Sequence, residues 1–117
     1  MADATGGQSA VVNAPAVLVY TDVRWRNAVK YQAREYRHAF WDSGTIIANT
    51  LATAGACGIP AKLVAGFSDE SVDRLLDLDT HREVSLALVA IGHAPEAIIE
   101  QSPEIMPLGL KTVPVSD

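Results

Sequence analysis

The stretch EYRHAFWDSGTIIANTLATAGA, residues 35–56, decides the fold of this chain. It contains no proline, and its apolar side chains recur at three- and four-residue steps, as one face of a helix requires. These side chains are Phe40, Ile47, Leu51 and Ala54. We predict a helix that begins near residue 34 or 35 and ends near residue 56, where glycines at 55 and 58 stop it.

A second face of this predicted helix carries mostly small residues, at positions 39, 43, 46 and 50. Small side chains allow another helix to approach closely. A helix that is apolar or small on two faces usually lies at the centre of a fold or at a subunit interface.

Three strands are predicted around this helix. Residues 15–21 form an apolar run that is typical of a buried strand, and residues 59–67 read as a short strand that enters a glycine turn. Residues 83–92 are apolar on both faces from Leu86 onward, so we place this strand at the centre of the sheet. Residues 22–32 are predicted to be a loop with a short helical turn. Ser68 is predicted to cap a short helix with Val72, Leu75 and Leu76 on its apolar face.

The predicted order of strand, loop, long helix, strand, short helix and strand gives the class α+β, with a long central helix packed on a small mixed sheet. Residues 1–14 are small and polar, and we expect a flexible leader there. Residues 15–93 form the predicted domain. Residues 94–117 hold four prolines and are expected to be a linker or tail.

Composition excludes several functions. The 117-residue chain has 9 basic and 14 acidic side chains, a net charge of −5, which disfavours binding to nucleic acid or to an anionic membrane. Its one cysteine, Cys57, excludes an intrachain disulfide and a cysteine-rich zinc site, and the three histidines are scattered, so no metal is expected. We expect a cytoplasmic protein, since neither a signal peptide nor a membrane span is indicated.

Two short motifs could carry chemistry. Ala65 and Gly66 follow a predicted strand, and backbone N–H groups at such a turn can donate to a flat ligand because no side chain blocks the approach. An ordinary tight turn explains the same residues. Lys30 and Tyr31 offer two neighbouring proton-transfer groups if desolvation lowers the lysine pKa, although a solvated charge beside a packed ring explains them as well.

Several stretches, in the right order, resemble the C-terminal half of a SagB-type dehydrogenase domain, which belongs to the FMN-dependent nitroreductase superfamily. The resemblance covers about residues 15–92 and the linker that follows. It rests on YRHA at 36–39 with DSG at 42–44, on GIPAKLVAGF at 58–67, and on residues 73–79, 82–83 and 86–92. It implies a partial nitroreductase-like fold in which the long helix also makes dimer contacts.

The resemblance implies FMN as the cofactor. It assigns Leu63, Val64, Ala65 and Gly66 to the surface that faces the flavin ring, and Lys30 and Tyr31 to catalysis. The implied activity is that of an FMN-dependent oxidoreductase, including dehydrogenases that oxidise azoline heterocycles in modified peptides. The expected partners are a second copy, or a chain that supplies the N-terminal half, and a modified peptide.

The sequence departs from the family in one respect. In this superfamily the N-terminal half supplies the basic residues that bind the FMN phosphate, whereas the first cation here is Arg24. The alternative is therefore a non-catalytic dimerisation or scaffold fragment that no longer binds flavin.

Overall fold

A computed structural model describes residues 1–93. The predicted tail at 94–117 lies outside the described residues. The described elements, in chain order, are a 3₁₀ turn Asp3–Thr5, α1 Ser9–Val12, β1 Ala16–Val23, α2 Arg24–Tyr31, a 3₁₀ turn Gln32–Arg34, α3 Glu35–Ala56, β2 Ala61–Val64, α4 Asp69–Leu75 and β3 Glu83–Ile91.

The α+β class and the long helix are confirmed, and β3 is the central strand as predicted, in the order β1-β3-β2. The sheet is not mixed, however, because both neighbours of β3 run antiparallel to it. The reason is topological. β1 and β2 have the same direction but are not adjacent, since β3 inserts between them.

The core forms on both faces of β3. On one face Leu88 and Ala90 pack with Val64 of β2, Val72 of α4 and the N-terminal residues. On the other face Ala87 and Val89 pack with Ile47 of α3. Leu88 and Val89, which lie next to each other in the strand, are both fully buried. A strand with two covered faces explains why its sequence is apolar without alternation.

Helix α3 covers the second face. Ile47 and Ala54 are buried and Leu51 packs against the same cluster, but Phe40 from the same predicted stripe is 45% exposed. The helix ends as predicted at a glycine. Gly58 has φ of 67°, and the N–H of the next residue, Ile59, donates to the carbonyl of Ala54. This bond satisfies a carbonyl that the helix itself leaves free.

The N-terminal residues differ from the predicted flexible leader. The segment from Asp3 to Val12 folds into the 3₁₀ turn and α1. Ala4, Ala10 and Val11 are buried in the cluster that contains Leu88. The sequence suggested flexibility because the residues of this segment are small and polar. Its small side chains, however, fit closely against the face of the sheet that α3 does not cover.

Three smaller predictions also need adjustment. β1 is an edge strand and is only partly buried, with Leu18 43% exposed, because it has a neighbour on one side only. The predicted loop at 22–32 is mostly α2. In α4, Ser68 caps the helix through a bond from the N–H of Ser71, as predicted, and Val72 is fully buried, but Leu75 and Leu76 are exposed.

The packed N-terminus can be tested with adjacent valines. Val11 is 5% exposed and Val12 is 47% exposed. We expect Val11→Asp to lower the free energy of unfolding by at least about 2 kcal/mol, because it buries a carboxylate without a partner. Val12→Asp is the matched control and should cost no more than about 0.5 kcal/mol. Urea denaturation followed by circular dichroism measures both, and equal, small effects would mean that the N-terminus does not pack.

Candidate functional site

The turn after β2 presents free backbone at the sheet edge. The N–H of Gly92 donates to the carbonyl of Pro60, which makes 60–92 a hydrogen-bonded pair of the antiparallel ladder. Such pairs alternate along the ladder. The N–H group of Leu63 therefore points away from β3, and the same alternation extended one residue past β2 gives the N–H of Ala65 the same direction. A Cβ built on Gly66 meets no atom within 4 Å, so open space adjoins the turn.

The N-terminal residues hold this turn in place. The N–H of Ser68 donates to the carbonyl of Ala4 at 2.7 Å, and Phe67 packs against the cluster that contains Ala4 and Val64. The conformation of Ala65 and Gly66 thus depends on a segment that lies some 60 residues earlier in the chain.

A cavity of about 310 Å³ lies beside the turn. It is enclosed by the ends of β1 and β3, the first turns of α3 and the start of α4. Its lining includes Ala65 and Phe67, the aromatic side chains of Tyr36 and Phe40, and the charged side chains of Asp22, Arg24, Asp69 and Asp73. Three carboxylates against one guanidinium give the cavity a negative balance.

Glu35, the first residue of α3, is 6% exposed, and its Oε1 has no hydrogen-bond partner within the described part of the chain. Burial raises the pKa of this carboxyl, and a hydrogen bond with Asp22 and the charge of Asp22 raise it further, while Arg24 lowers it. Two carboxyls that share one environment favour a state in which one of them holds a proton.

Asp73 replaces a missing strand. β2 ends at Val64, opposite Leu88, so β3 has no β2 neighbour before that point. The buried Asp73 carboxylate accepts from the N–H of Ser85 at 2.8 Å. This bond satisfies a strand amide that would otherwise be unpaired. Asp73 therefore has a structural role at the cavity wall.

The raised pKa of Glu35 leads to a prediction. A carboxyl whose folded-state pKa lies above its ordinary value of 4.5 stabilises the fold when protonated, and this stabilisation is lost as the pH rises through the folded pKa. We expect Glu35→Gln to raise the free energy of unfolding at pH 7. The gain should disappear below about pH 4, where glutamate is neutral in both states.

The control for this substitution is Asp42→Asn, at an exposed position of the same helix. It removes one negative charge without changing a buried group. Urea midpoints between pH 3 and pH 8 compare the two variants. A gain of the same size in both would assign the effect to net charge and not to the buried carboxyl.

Lys30 and Tyr31 end α2, and the structure brings them together. The Lys30 Nζ lies 5.0 Å from the Tyr31 ring centroid. The Tyr31 ring packs on His38 of α3, with centroids 4.2 Å apart and planes tilted by 30°. The chain then passes through Gln32 with φ of 49° and ψ of −132°, a conformation that costs a residue with a side chain about 1–3 kcal/mol.

The two predicted groups lie on different sides of α3. Tyr36 and Phe40 line the cavity beside Ala65, whereas His38 contacts Tyr31 and Trp41 contacts His38. At 100° per residue, these two pairs of positions are about 150° apart around the helix axis. The Lys30–Tyr31 pair and the Ala65–Gly66 turn therefore do not share one cavity within residues 1–93.

Among the predicted ring-lining residues, Leu63 is 43% exposed and Ala65 lines the cavity. Val64 is 3% exposed and belongs to the core. Its side chain is not available to a ligand, because alternate side chains of a strand point to opposite faces.

The sequence patterns did not mark Glu35, Tyr36 or His38 as functional residues. A glutamate at the first position of a helix normally reads as a favourable terminal charge, and the Asp22 carboxyl of β1 that raises its pKa comes near it only in the folded chain. The one signal for a site in the sequence is the spacing of ring side chains at 36, 38, 40 and 41. These rings lie all round the helix, whereas packing against a single sheet needs apolar residues on one face only.

A model of the nitroreductase family matches residues 2–93, well over half of the chain. The chain belongs to the nitroreductase family. The match begins in the N-terminal segment that the structure packs on the sheet. No curated protein matches the chain at a significant level.

Two solved structures share this nitroreductase fold. A protein from Anabaena variabilis that is assigned as a nitroreductase aligns with a TM-score of 0.74 and 28% identity over 77% of this chain and 18% of its own. A chain of the E. coli microcin synthetase McbBCD complex, solved with truncated pro-MccB17 bound, aligns with a TM-score of 0.65 and 23% identity over 77% of this chain and 38% of its own. The chain thus spans well under half the length of either structure.

Nitroreductase family members generally use FMN, and the described residues fit one part of that group. The free Ala65 N–H and the open space at Gly66 suit the edge of a flat ring. The cavity does not suit the phosphate, because Arg24 is the one cation in its lining. Within residues 1–93 there is no cluster of three metal-ligating side chains, and no helix is long and apolar enough to cross a membrane.

Proposed function

We propose that this chain is part of an FMN-dependent oxidoreductase that oxidises azoline heterocycles in modified peptides. The observation that carries the proposal is the turn at Ala65 and Gly66. It combines outward N–H groups at the end of an edge strand with open space where a larger residue would project. The likeness to a chain of a microcin synthetase complex with a peptide bound supports the choice of a peptide substrate.

The turn would bind the edge of the flavin ring. A fixed N–H donor stabilises negative charge that develops on a reduced ring, and it does so without reorganisation because the backbone is already held. The bond from Ser68 to Ala4 supplies this rigidity. When bound, FMN accepts a hydride from the substrate.

The phosphate requires cations from elsewhere. The cavity beside the turn has a negative balance, so we propose that a second copy of this chain, or a chain with the N-terminal half of the domain, supplies them. The position of Lys30 and Tyr31 on the other side of α3 points in the same direction. In an oligomer, the pair from one chain can lie beside the turn of another.

Lys30 and Tyr31 would handle the proton. Conversion of an azoline to an azole removes one hydride and one proton from the ring. With the hydride transferred to the flavin, the proton needs a base within hydrogen-bond reach. Lys30 would act as the base, and the Tyr31 hydroxyl would orient the ring or pass the proton on.

Gly66→Val tests the turn. Its Cβ meets nothing within 4 Å, and its φ is not left-handed, so valine should leave the free energy of unfolding within about 0.5 kcal/mol of the parent. We expect the affinity for FMN to fall at least tenfold. It is read from the visible absorption of the purified protein as FMN is added. Gly44→Val is the control, because it adds the same side chain in open space on a helix away from the turn. It should leave the affinity for FMN unchanged. Full retention by Gly66→Val would remove this turn from the flavin site.

Lys30→Ala tests the base. We expect turnover of an azoline peptide to fall about 10²–10⁴-fold, the usual contribution of a general base, with flavin content unchanged. Lys62→Ala, an exposed lysine on β2, is the control and should keep full turnover. Equal turnover in the parent and Lys30→Ala would exclude Lys30 from the mechanism.

The shared site has its own test. At an FMN concentration that saturates the parent but not Gly66→Val, the Lys30→Ala and Gly66→Val chains are each expected to show little turnover. If the two groups meet across an interface, random mixing in a dimer restores about a quarter of the sites. If they meet within one chain, mixing restores nothing.

One observation favours the alternative, a dimerisation or scaffold fragment without flavin. Large apolar side chains are exposed along α3, including Tyr36, Trp41 and Ile46, and such a surface suits a partner. A chain that forms a stable dimer in analytical ultracentrifugation but shows no flavin absorption with added FMN would support this function over the oxidoreductase.

A further inference from the structure

Three ring side chains at the junction of α2 and α3, those of Tyr31, His38 and Trp41, contact one another in turn. The ring centroids of Tyr31 and His38 lie 4.2 Å apart. His38 meets Trp41 edge-to-face, with centroids 5.3 Å apart and planes at 79°. The Lys30 Nζ lies 5.0 Å from the centroid of the Tyr31 ring. Four side chains from two helices thus form one chain of contacts.

These rings lie next to a strained turn of the backbone. Gln32, directly after Tyr31, has φ of 49° and ψ of −132°. A residue with a side chain keeps such a conformation only where the surrounding structure enforces it. Gln32 is exposed and has no side-chain hydrogen bond within residues 1–93. The contacts that enforce its conformation must therefore come from its neighbours.

The neighbours before Gln32 are weakly held. None of the residues of α2 is buried, and Lys30 itself is exposed. The helix has eight residues, too few to be stable alone. The contact of Tyr31 with His38 is therefore important for holding the C-terminal end of α2 against α3.

We propose that His38 is a positioning residue, whose imidazole, held between Tyr31 and Trp41, places the Lys30–Tyr31 pair through the strained turn at Gln32. This inference rests on the proposed function as far as catalysis is concerned. The positional part stands on the contacts alone. His38 does not touch the substrate in this role. It acts through Tyr31, because a planar ring at stacking distance restricts both the χ angles of tyrosine and the end of α2.

Nuclear magnetic resonance of the 117-residue chain tests the positional part without any activity. We expect His38→Ala to move the Tyr31 ring-proton resonances downfield toward free tyrosine values, because the imidazole ring current is lost. The Tyr20 ring, which bonds to Thr50 at 2.7 Å elsewhere on the sheet, is the internal control and should not shift. His38→Phe restores a stacking ring and should restore the Tyr31 shifts.

The turn has a separate variant. Gln32→Gly removes the strain, so we expect a higher urea midpoint than the parent, together with broadened Tyr31 resonances as the end of α2 gains freedom. A gain in stability with unchanged Tyr31 resonances would mean that the strain does not position the pair. Unchanged Tyr31 resonances in His38→Ala would overturn the proposal outright.

Turnover separates this proposal from the proposed function. If the parent oxidises an azoline peptide, His38→Ala should lower kcat about tenfold or more with little change in KM, and His38→Phe should recover most of it. Loss without recovery by phenylalanine would contradict positioning by stacking. If the parent shows no turnover, the proposed function fails, while the resonance shifts still decide whether His38 places Tyr31.

Discussion

Everything in this structure depends on the burial of β3 on both faces. Leu88 and Val89 point in opposite directions and are both fully buried, so the strand needs one layer on each side. Helix α3 supplies one layer. The other is assembled from α4 and the short N-terminal segment. Because a buried strand leaves no room for unpaired backbone, the two outer strands and the Asp73 carboxylate follow as consequences.

That arrangement explains why the candidate site lies where β2 ends. The short β2 leaves the beginning of β3 without a strand neighbour, Asp73 pairs with the exposed amide, and the remaining space forms the cavity beside Ala65. The N-terminal segment, which covers the core, also supplies the Ala4 carbonyl that accepts the Ser68 N–H and fixes the turn. Stability and the geometry of the turn are therefore supplied by the same few residues, and a substitution in the N-terminal segment affects both.

The far side of α3 follows a different principle. No residue of α2 is buried, and its C-terminal end lies between a ring contact and a strained turn. Such regions open with little free energy, which suits a group that must meet a second component. The Ala65–Gly66 turn lies on the sheet side of α3 and the Lys30–Tyr31 pair lies on the other side, so the helix separates the two predicted groups of functional residues.

The sequence by itself determined the elements with strong periodicity or strong punctuation. These are α3 with its glycine stop, the central strand β3, the Ser68 cap and, through several motifs in order, the family. Each depends on neighbouring residues, and local patterns record such features directly. The same local patterns suggested the Ala65–Gly66 turn and the Lys30–Tyr31 pair, whose functional roles are proposals.

Only the tertiary structure decided which small residues are buried, and which functional groups share a space. The N-terminal segment has no periodicity because its buried residues, such as Ala4 and Ala10, are selected for size by the sheet they cover. Val64 is apolar like Leu63, yet only its partner across the ladder shows that it faces the core. The separation of Tyr31 from Ala65 by the width of α3 depends on how three elements pack together, and no local pattern carries that information.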